Sequence, residues 1–562
     1  MPLIHDHLRP TVVLFLGLVL LGSVRVQGHP NHKLDLFYDH PGKANDPGDT
    51  LLIGNGALGA MISGGIARDT LHLNAKHLWT EEGYLPLGDL IIETGHQAEA
   101  VTSYLRRLDL QTALTEISYR HDRIRFQREY FASYPDNLLA ARYEARRKGA
   151  INLVLGWKSP FPTALTFDES TGKLLVTTTF PGDRIVRTHL LCQPTGGTVT
   201  FADDRLTIDQ ADALTLFLAP AQTLGDRSID PVGDLGDRTY TDVLRHHITD
   251  YQRLFHGYSL TLEGGAKTFV PTDKRLMAYR ENPGHDPGFE ELFFQYARYL
   301  LIASSRRGSL PAHNRGVWSL PGQAKPGYDP ELALPLAYSL AEPTHLMACH
   351  QSLLGQSQLP GPAMTGNRAA WDHFDFGRKT PKPEGEAPGD FFAEPAAQDR
   401  LNTMQGDAWK TNALTRSGKG DEAHAILSRI LQKQLHKNLS IMGKPWDFPA
   451  TLGFATSMTG MLAQTRDGAL HFLPALPKAW PDGNVQGFRM RGGYTVDFSW
   501  LESDFLEGYI TAVRAGDCRV KLPGSLLVER ADQSKFTPEK KADGAFVIPL
   551  SEGESVYLRR PD

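Results

Sequence analysis

The sequence predicts a multidomain α and β protein: an N-terminal antiparallel β-sandwich, a central helical domain and a small C-terminal β domain. Three observations carry this. Between residues 29 and about 262, short apolar runs alternate with Gly, Pro and Asp breaks at regular spacing, the pattern of many antiparallel strands. From Phe293 the period becomes helical, with Phe294, Ala297, Leu300 and Leu301 at i, i+3, i+4 spacing on one apolar face. After residue 480 short alternating strands return, as in Thr495–Trp500, Tyr509–Ala515 and Ser555–Arg559. A chain of 562 residues is too long for one core, so about three or four domains are expected.

In chain order, residues 1–28 read as a secretory signal. Arg9 closes a weakly basic start, Thr11 to Val24 is apolar, and Val26-Gln27-Gly28 offers a small-residue cleavage site. The apolar run is too short to span a bilayer. Export to the periplasm or the extracellular space is therefore expected, with no membrane attachment after cleavage. The sandwich is expected over 29–239. Leu51 to Trp79 carries Gly-Asn-Gly and Gly-Gly breaks of the hairpin kind, and strand-like pieces follow at 86–93, 124–133, 138–145, 150–157, 174–179, 184–191, 197–201 and 213–218. A helical linker occupies 240–285, opening with an amphipathic helix over 240–256 that stops at Gly257. His246 and His247 are adjacent, so they face different ways and cannot chelate one metal.

The helical domain is expected over 286–470. Its opening helix breaks at Arg307-Gly308-Ser309-Leu310-Pro311. A polar cluster, His313-Asn314-Arg315, and Trp318 follow on the loop, where binding groups carried by a rigid scaffold usually sit. Leu332 to Leu354 is helical with breaks at Pro335 and Pro343, and further helices are expected at 400–416, 421–437 and 453–465. Residues 355–399 are rich in Pro and Gly and read as a long loop or disordered insert. The C-terminal β domain takes 471–562.

Composition narrows the function classes. Net charge is −5, which gives no electrostatic case for nucleic acid or an anionic membrane. With 8 Trp, 18 Tyr and 26 Phe, aromatic surface is available for stacking on sugar rings. Cys192, Cys349 and Cys518 are widely spaced, which excludes a disulfide scaffold and a zinc ribbon and favours buried thiols. No GxSxG, P-loop, HExxH or strand-linked GxGxxG occurs, so no motif supports a Ser-His-Asp or Cys-His nucleophile.

The wording of several segments is more telling than their spacing. FFQYARYLLIASSRRGSLPAHNRGVW, IGNGALGAMISGG, LHLNAKHLW, YLPLGDLII, REYFASYPDNLLAARYEA, TDYQRLF, DAWKTNALTRSGKGDEA and LHFLPALPKAWPDGNVQGFRMRGGYTVDFSW resemble glycoside hydrolase family 95, the α-L-fucosidase and α-L-galactosidase group. The resemblance implies that the helical domain is a shortened (α/α)6 toroid. It also implies inverting hydrolysis of terminal α-L-fucosyl or α-L-galactosyl residues of a glycan, with neither metal nor cofactor expected. An incomplete toroid would leave apolar helix faces uncovered, which predicts an oligomer or aggregation.

Glycoside hydrolysis needs two carboxyl functions flanking the scissile bond. The family takes its general acid from a glutamate in the helical domain, for which this chain shows no counterpart between about 350 and 400. Its water-activating Asn-Ile-Asn block falls on Glu331, Leu332 and Ala333, and its Asp-Gly-Asn block falls on Pro449, Ala450 and Thr451. The substitutes are Asp447, beside Trp446, and Glu331, each a candidate base. Asp372 and Asp375, in an aromatic segment, are candidate acids. By the same resemblance His313, Asn314, Arg315, Trp318, Trp409 and Asn412 are candidate substrate contacts, and Trp79 a candidate groove edge. Two other readings stand beside the enzyme: an inactive, exported carbohydrate-binding relative, and a chain that has lost its catalytic segment and folds poorly.

Overall fold

The structure is a computed structural model that describes residues 34–80, 83–224, 227–264, 269–320, 333–354, 403–443 and 446–560. The expected signal 1–28, the expected insert 355–399 and Glu331, Asp372 and Asp375 lie outside the described residues, as does the side chain of Trp79. Among the described residues no helix is long and apolar enough to cross a membrane.

Residues 35–220 form the expected sandwich. A nine-stranded antiparallel sheet runs in the order Asp35–Tyr38, Thr102–Asp109, Leu114–His121, Ile124–Ser133, Leu138–Ala145, Ala213–Pro220, Arg184–Thr195, Lys173–Phe180, Thr163–Asp168. A seven-stranded sheet runs Thr198–Ala202, Arg205–Ala211, Ile151–Lys158, Gly83–Glu93, Arg68–Thr80, Leu58–Ile62, Leu51–Gly54. Leu71, Leu73, Tyr130, Leu139, Val176, Leu190 and Leu216 share one buried cluster. The hairpins close through paired left-handed residues, Asp122–Arg123 and Asp203–Asp204, whose twist matches that of the strands they join.

The Gly54-Asn55-Gly56 hairpin does more than turn the chain. Asn55 Oδ1 accepts from the amides of Ala57 at 3.0 Å and Leu58 at 2.8 Å, and its Nδ2 donates to the Ser133 carbonyl at 2.9 Å. Gly56 then donates its amide to the Ala303 carbonyl at 2.8 Å, satisfying one of the orphan acceptors at a helix C-terminus. A Cβ on Gly54 would lie 2.5 Å from that same carbonyl oxygen, so only glycine fits there.

The helix so capped is α3, Pro287–Ser304; α1 spans Tyr240–Phe255 and α2 Thr272–Glu281. Asp286 caps α3 by accepting from Phe289 N, with proline at its start. The spacing predicts one buried face, but every residue of α3 is buried, because it is enclosed by the sandwich, the other helices and the C-terminal sheet. α4 (Ala333–Ser339), α5 (Met347–Leu354), α6 (Met404–Arg416), α7 (Gly420–Gln434) and α8 (Phe448–Leu462) complete the described helices. Met277 is the one large apolar side chain exposed on them. The uncovered apolar faces expected of an incomplete toroid are therefore not found among the described residues.

The linker enters the C-terminal domain directly: Ser259–Leu262 pairs with Gly483–Met490 at the edge of a seven-stranded sheet. A four-stranded sheet packs with it and begins at Ala463–Arg466 and Ala469–Phe472, so β structure starts before residue 471. Glu290, on α3, sits fully buried at the junction. Its carboxylate accepts from the Tyr279 hydroxyl at 2.5 Å, His424 Nε2 at 3.0 Å and the Trp480 indole at 2.6 Å, tying α2, α3 and α7 to the chain entering the C-terminal sheets. Cys192, Cys349 and Cys518 are buried free thiols.

Candidate active site

The loop after α3 is fixed from both sides. Lys76, buried on the sandwich, donates Nζ to the Ser304 carbonyl and, at 2.7 Å, to that of Leu310. Trp318 is fully buried and donates its indole N–H to the Ile53 carbonyl at 2.8 Å. Between them His313 and Gly316 exchange backbone hydrogen bonds of 3.2 and 2.8 Å. Gly316 has φ +77° and a Cβ there would lie 2.7 Å from the Trp318 ring, so the turn requires glycine. His313 Nδ1 accepts from the Arg315 amide at 3.0 Å. Burial, with Lys76 and Arg315 adding to it, holds His313 well below the ordinary imidazole range. A neutral ring that accepts at Nδ1 results.

This turn docks on the start of α8. Trp446 donates its indole N–H to the Arg315 carbonyl at 3.3 Å, and the Phe448 amide donates to the Asn314 carbonyl at 3.3 Å. Between those two contacts lies Asp447. It is the N-cap of α8: Oδ1 accepts from the Ala450 amide at 3.0 Å. The Gln405 amide, from α6, approaches both carboxylate oxygens at 3.3 and 3.4 Å. Burial raises Asp447 from 3.8 to about 6, against the lowering effect of the Ala450 and Gln405 bonds. An unpaired carboxylate in low-dielectric surroundings holds its proton more tightly.

The structure thus brings Asn314, Arg315 and Asp447 together, with Trp446 and Gln405 joining them. His313 joins them through the Arg315 amide, while Trp318 and Asn412 make their bonds elsewhere. Trp318 anchors the loop to the sandwich. Trp409 is buried on α6. Asn412 donates Nδ2 to the Ala408 and Gly453 carbonyls, both at 2.9 Å, and so joins α6 to α8. Pro449, Ala450 and Thr451, which stand at the family's Asp-Gly-Asn block, form the buried first turn of α8. Sequence reasoning started α8 at 453 and missed its cap, although Asp447-Phe448-Pro449 carries the signature of a capping aspartate with proline in the first turn. Gln405 had no sequence signal, since its partner is 42 residues away.

Residues 239–375 match the family model described as the glycosyl hydrolase family 95 catalytic domain, and residues 464–558 match the family 95 C-terminal domain. The chain belongs to glycoside hydrolase family 95. Residues 36–83 and 80–223 of this family 95 member match the N-terminal domain of glycosyl hydrolase family 65. It is 26% identical over 412 residues to Alpha-L-fucosidase 2 of Arabidopsis thaliana, covering 57% of this chain and 48% of that protein. It is 25% identical over 359 residues to Probable alpha-fucosidase A of Aspergillus niger, covering 50% of this chain and 44% of that protein. The chain therefore spans about half the length of the curated relatives it matches. Among solved structures, a putative kojibiose phosphorylase from the human microbiome superimposes with a TM-score of 0.52 at 8% identity, over 93% of this chain and 99% of that one. That likeness concerns the fold alone: sandwich, helical middle and small C-terminal β domain.

Proposed function

We propose that this family 95 member is an exported α-L-fucosidase-type hydrolase that removes terminal α-L-fucosyl or α-L-galactosyl residues from glycans with inversion, Asp447 acting as the base. The observation that carries the reading is Asp447 itself, a carboxyl raised to about 6 at the start of α8 and held beside the Asn314–Arg315 turn. A base whose pKa lies near the working pH combines the correct protonation state with a real driving force for proton transfer. In this scheme Asp447 takes a proton from water, the water oxygen bonds to the anomeric carbon, and the glycosidic C–O bond breaks. The leaving oxygen needs a proton from a second carboxyl, for which the sequence offers Asp372 and Asp375. The neutral His313 and the Asn314–Arg315 turn stand beside this base. Residues 1–28 serve as the export signal.

A second reading has an observation of its own. The Asp447 carboxylate already caps α8, a duty that explains an aspartate there without any chemistry. On that reading the protein is an inactive carbohydrate-binding relative. Hydrolysis of an aryl α-L-fucoside separates the two. Turnover by the wild type, lost in Asp447→Asn or in Glu331→Gln, supports the enzyme. A folded wild type without turnover that fucose nevertheless stabilises against heat supports the binding relative.

A further inference from the structure

On the outer face of the nine-stranded sheet, far along the chain from Asp447, the side chains change character row by row. Phe131, Ala140, Phe217 and Leu191 stand opposite one another across four neighbouring strands, and they are buried with Val232, Leu235 and Val243 beneath α1. Two residues along each strand the row becomes Glu129, Arg142, Thr215 and Gln193. The row after that includes Glu144 and Thr195. Above these polar rows the helix gives way to an open groove of about 690 Å³, walled by the chain around Asp237 and by Tyr240.

The floor of the groove is organised. Arg142 donates Nε to Glu144 at 2.7 Å and Nη1 to the Thr215 hydroxyl at 2.9 Å, and its guanidinium lies 5.2 Å from the Tyr240 ring centroid. The Tyr240 hydroxyl donates to Glu129 at 2.7 Å. Rigid polar groups of this kind are preorganised for a ligand. The lining carries the carboxylates of Glu129, Glu144 and Asp237 against the guanidiniums of Arg142 and Arg238. This near-balance leaves no attraction for an anion, while donors and acceptors alternate across the floor. A ligand that matches is neutral and offers many hydroxyls, each able to donate and accept at once.

We propose that this groove is a second carbohydrate site, separate from Asp447, which holds a neutral oligosaccharide by its hydroxyl groups. Its volume lies inside the range of about 300–1,000 Å³ typical of small-molecule sites. The choice of a sugar among neutral polyols rests on the glycosidase reading given above. The position of the site does not.

The test is calorimetric titration of the full chain carrying Asp447→Asn, which prevents consumption of the probe, with the neutral trisaccharide 2′-fucosyllactose. We expect saturable binding that Thr195→Trp, a bulky side chain on an exposed wall position, weakens at least tenfold. Glu144→Gln, which keeps shape and removes charge, should weaken it at least threefold and decides the matter should the tryptophan variant fail to fold. In the Asp447-intact background both variants should keep the wild-type rate on an aryl α-L-fucoside. Absence of saturable binding, or binding that neither variant changes, overturns the proposal. Displacement of the sugar by inorganic phosphate overturns it too. Groove-dependent binding by a protein that never turns over the aryl fucoside would leave this site standing and remove the enzyme reading instead.

Discussion

Asp447 carries two duties that pull in opposite directions. As an N-cap it is best ionised, since a carboxylate complements the positive end of a helix. Burial opposes ionisation and raises it from 3.8 to about 6. Because the folded pKa lies above the unfolded one, the folded state binds this proton more tightly. Its contribution is most favourable below pH 4 and becomes unfavourable as pH rises through about 6. Asparagine keeps the cap and removes the charge, so Asp447→Asn should melt no lower than wild type at pH 8, and its advantage should shrink at pH 5. Asp447→Ala loses the cap and should cost about 1 kcal/mol at pH 5, and less at pH 8, where it also removes the buried charge. Thermal melts at the two pH values check both, and an Asn variant that melts lower at pH 8 would contradict the burial argument. Although its capping role went unread, Asp447 was singled out in the sequence by its place two residues before the family's Asp-Gly-Asn block. Gln405 and Lys76 were not, because their partners are brought to them only by the fold.

At the scale of elements, the reading succeeded where neighbouring residues decide the outcome. The helix expected over 240–256 is α1, Tyr240–Phe255, with a capping box between Thr239 and Asp242. Strands expected at 124–133 and 138–145 occur as Ile124–Ser133 and Leu138–Ala145. It failed where tertiary burial decides: α3 is buried all round, and α2, whose buried positions are Thr272, Arg275, Leu276 and Tyr279, shows too mixed a face to be recognised. Contact between α4, α6 and α8 supplies a test of the packing. A Cβ on Gly453 would lie 2.7 Å from the Leu336 side chain and 3.0 Å from the Ala408 Cβ. In an exposed helix, Gly→Ala stabilises by about 1 kcal/mol. Here Gly453→Ala should instead destabilise, by about 1–3 kcal/mol, through overpacking. Denaturant unfolding reads the sign, and a gain in stability would show that α6 and α8 are not so closely apposed.

One cluster of buried side chains reaches all three domains, beside a separate core inside the sandwich. It runs from Leu36 and Leu108 on the sandwich through Phe293 and Trp318 to Trp480, Phe498 and Leu558 in the C-terminal domain. Buried ties cross the same seams: Trp318 to Ile53, Lys76 to Ser304, and Arg306 to Asp250 at 2.6 Å. Tryptophan fluorescence, weighted toward the helical and C-terminal cores by Trp318, Trp409, Trp446, Trp480 and Trp500, and far-UV circular dichroism, to which the sandwich contributes strongly, should therefore give coincident unfolding midpoints. Separated midpoints would mean that the sandwich unfolds on its own. Coincidence would also weigh against a chain that folds poorly for want of a catalytic segment. The measurement that reaches the central claim most directly is the pH dependence of kcat/KM on an aryl α-L-fucoside. The account predicts activity that rises with pH through a limb near 6, set by Asp447, and a loss of at least a hundredfold in Asp447→Asn, within the range of general-base catalysis. An Asp447→Asn variant that keeps its activity and the same limb would show that the base lies elsewhere.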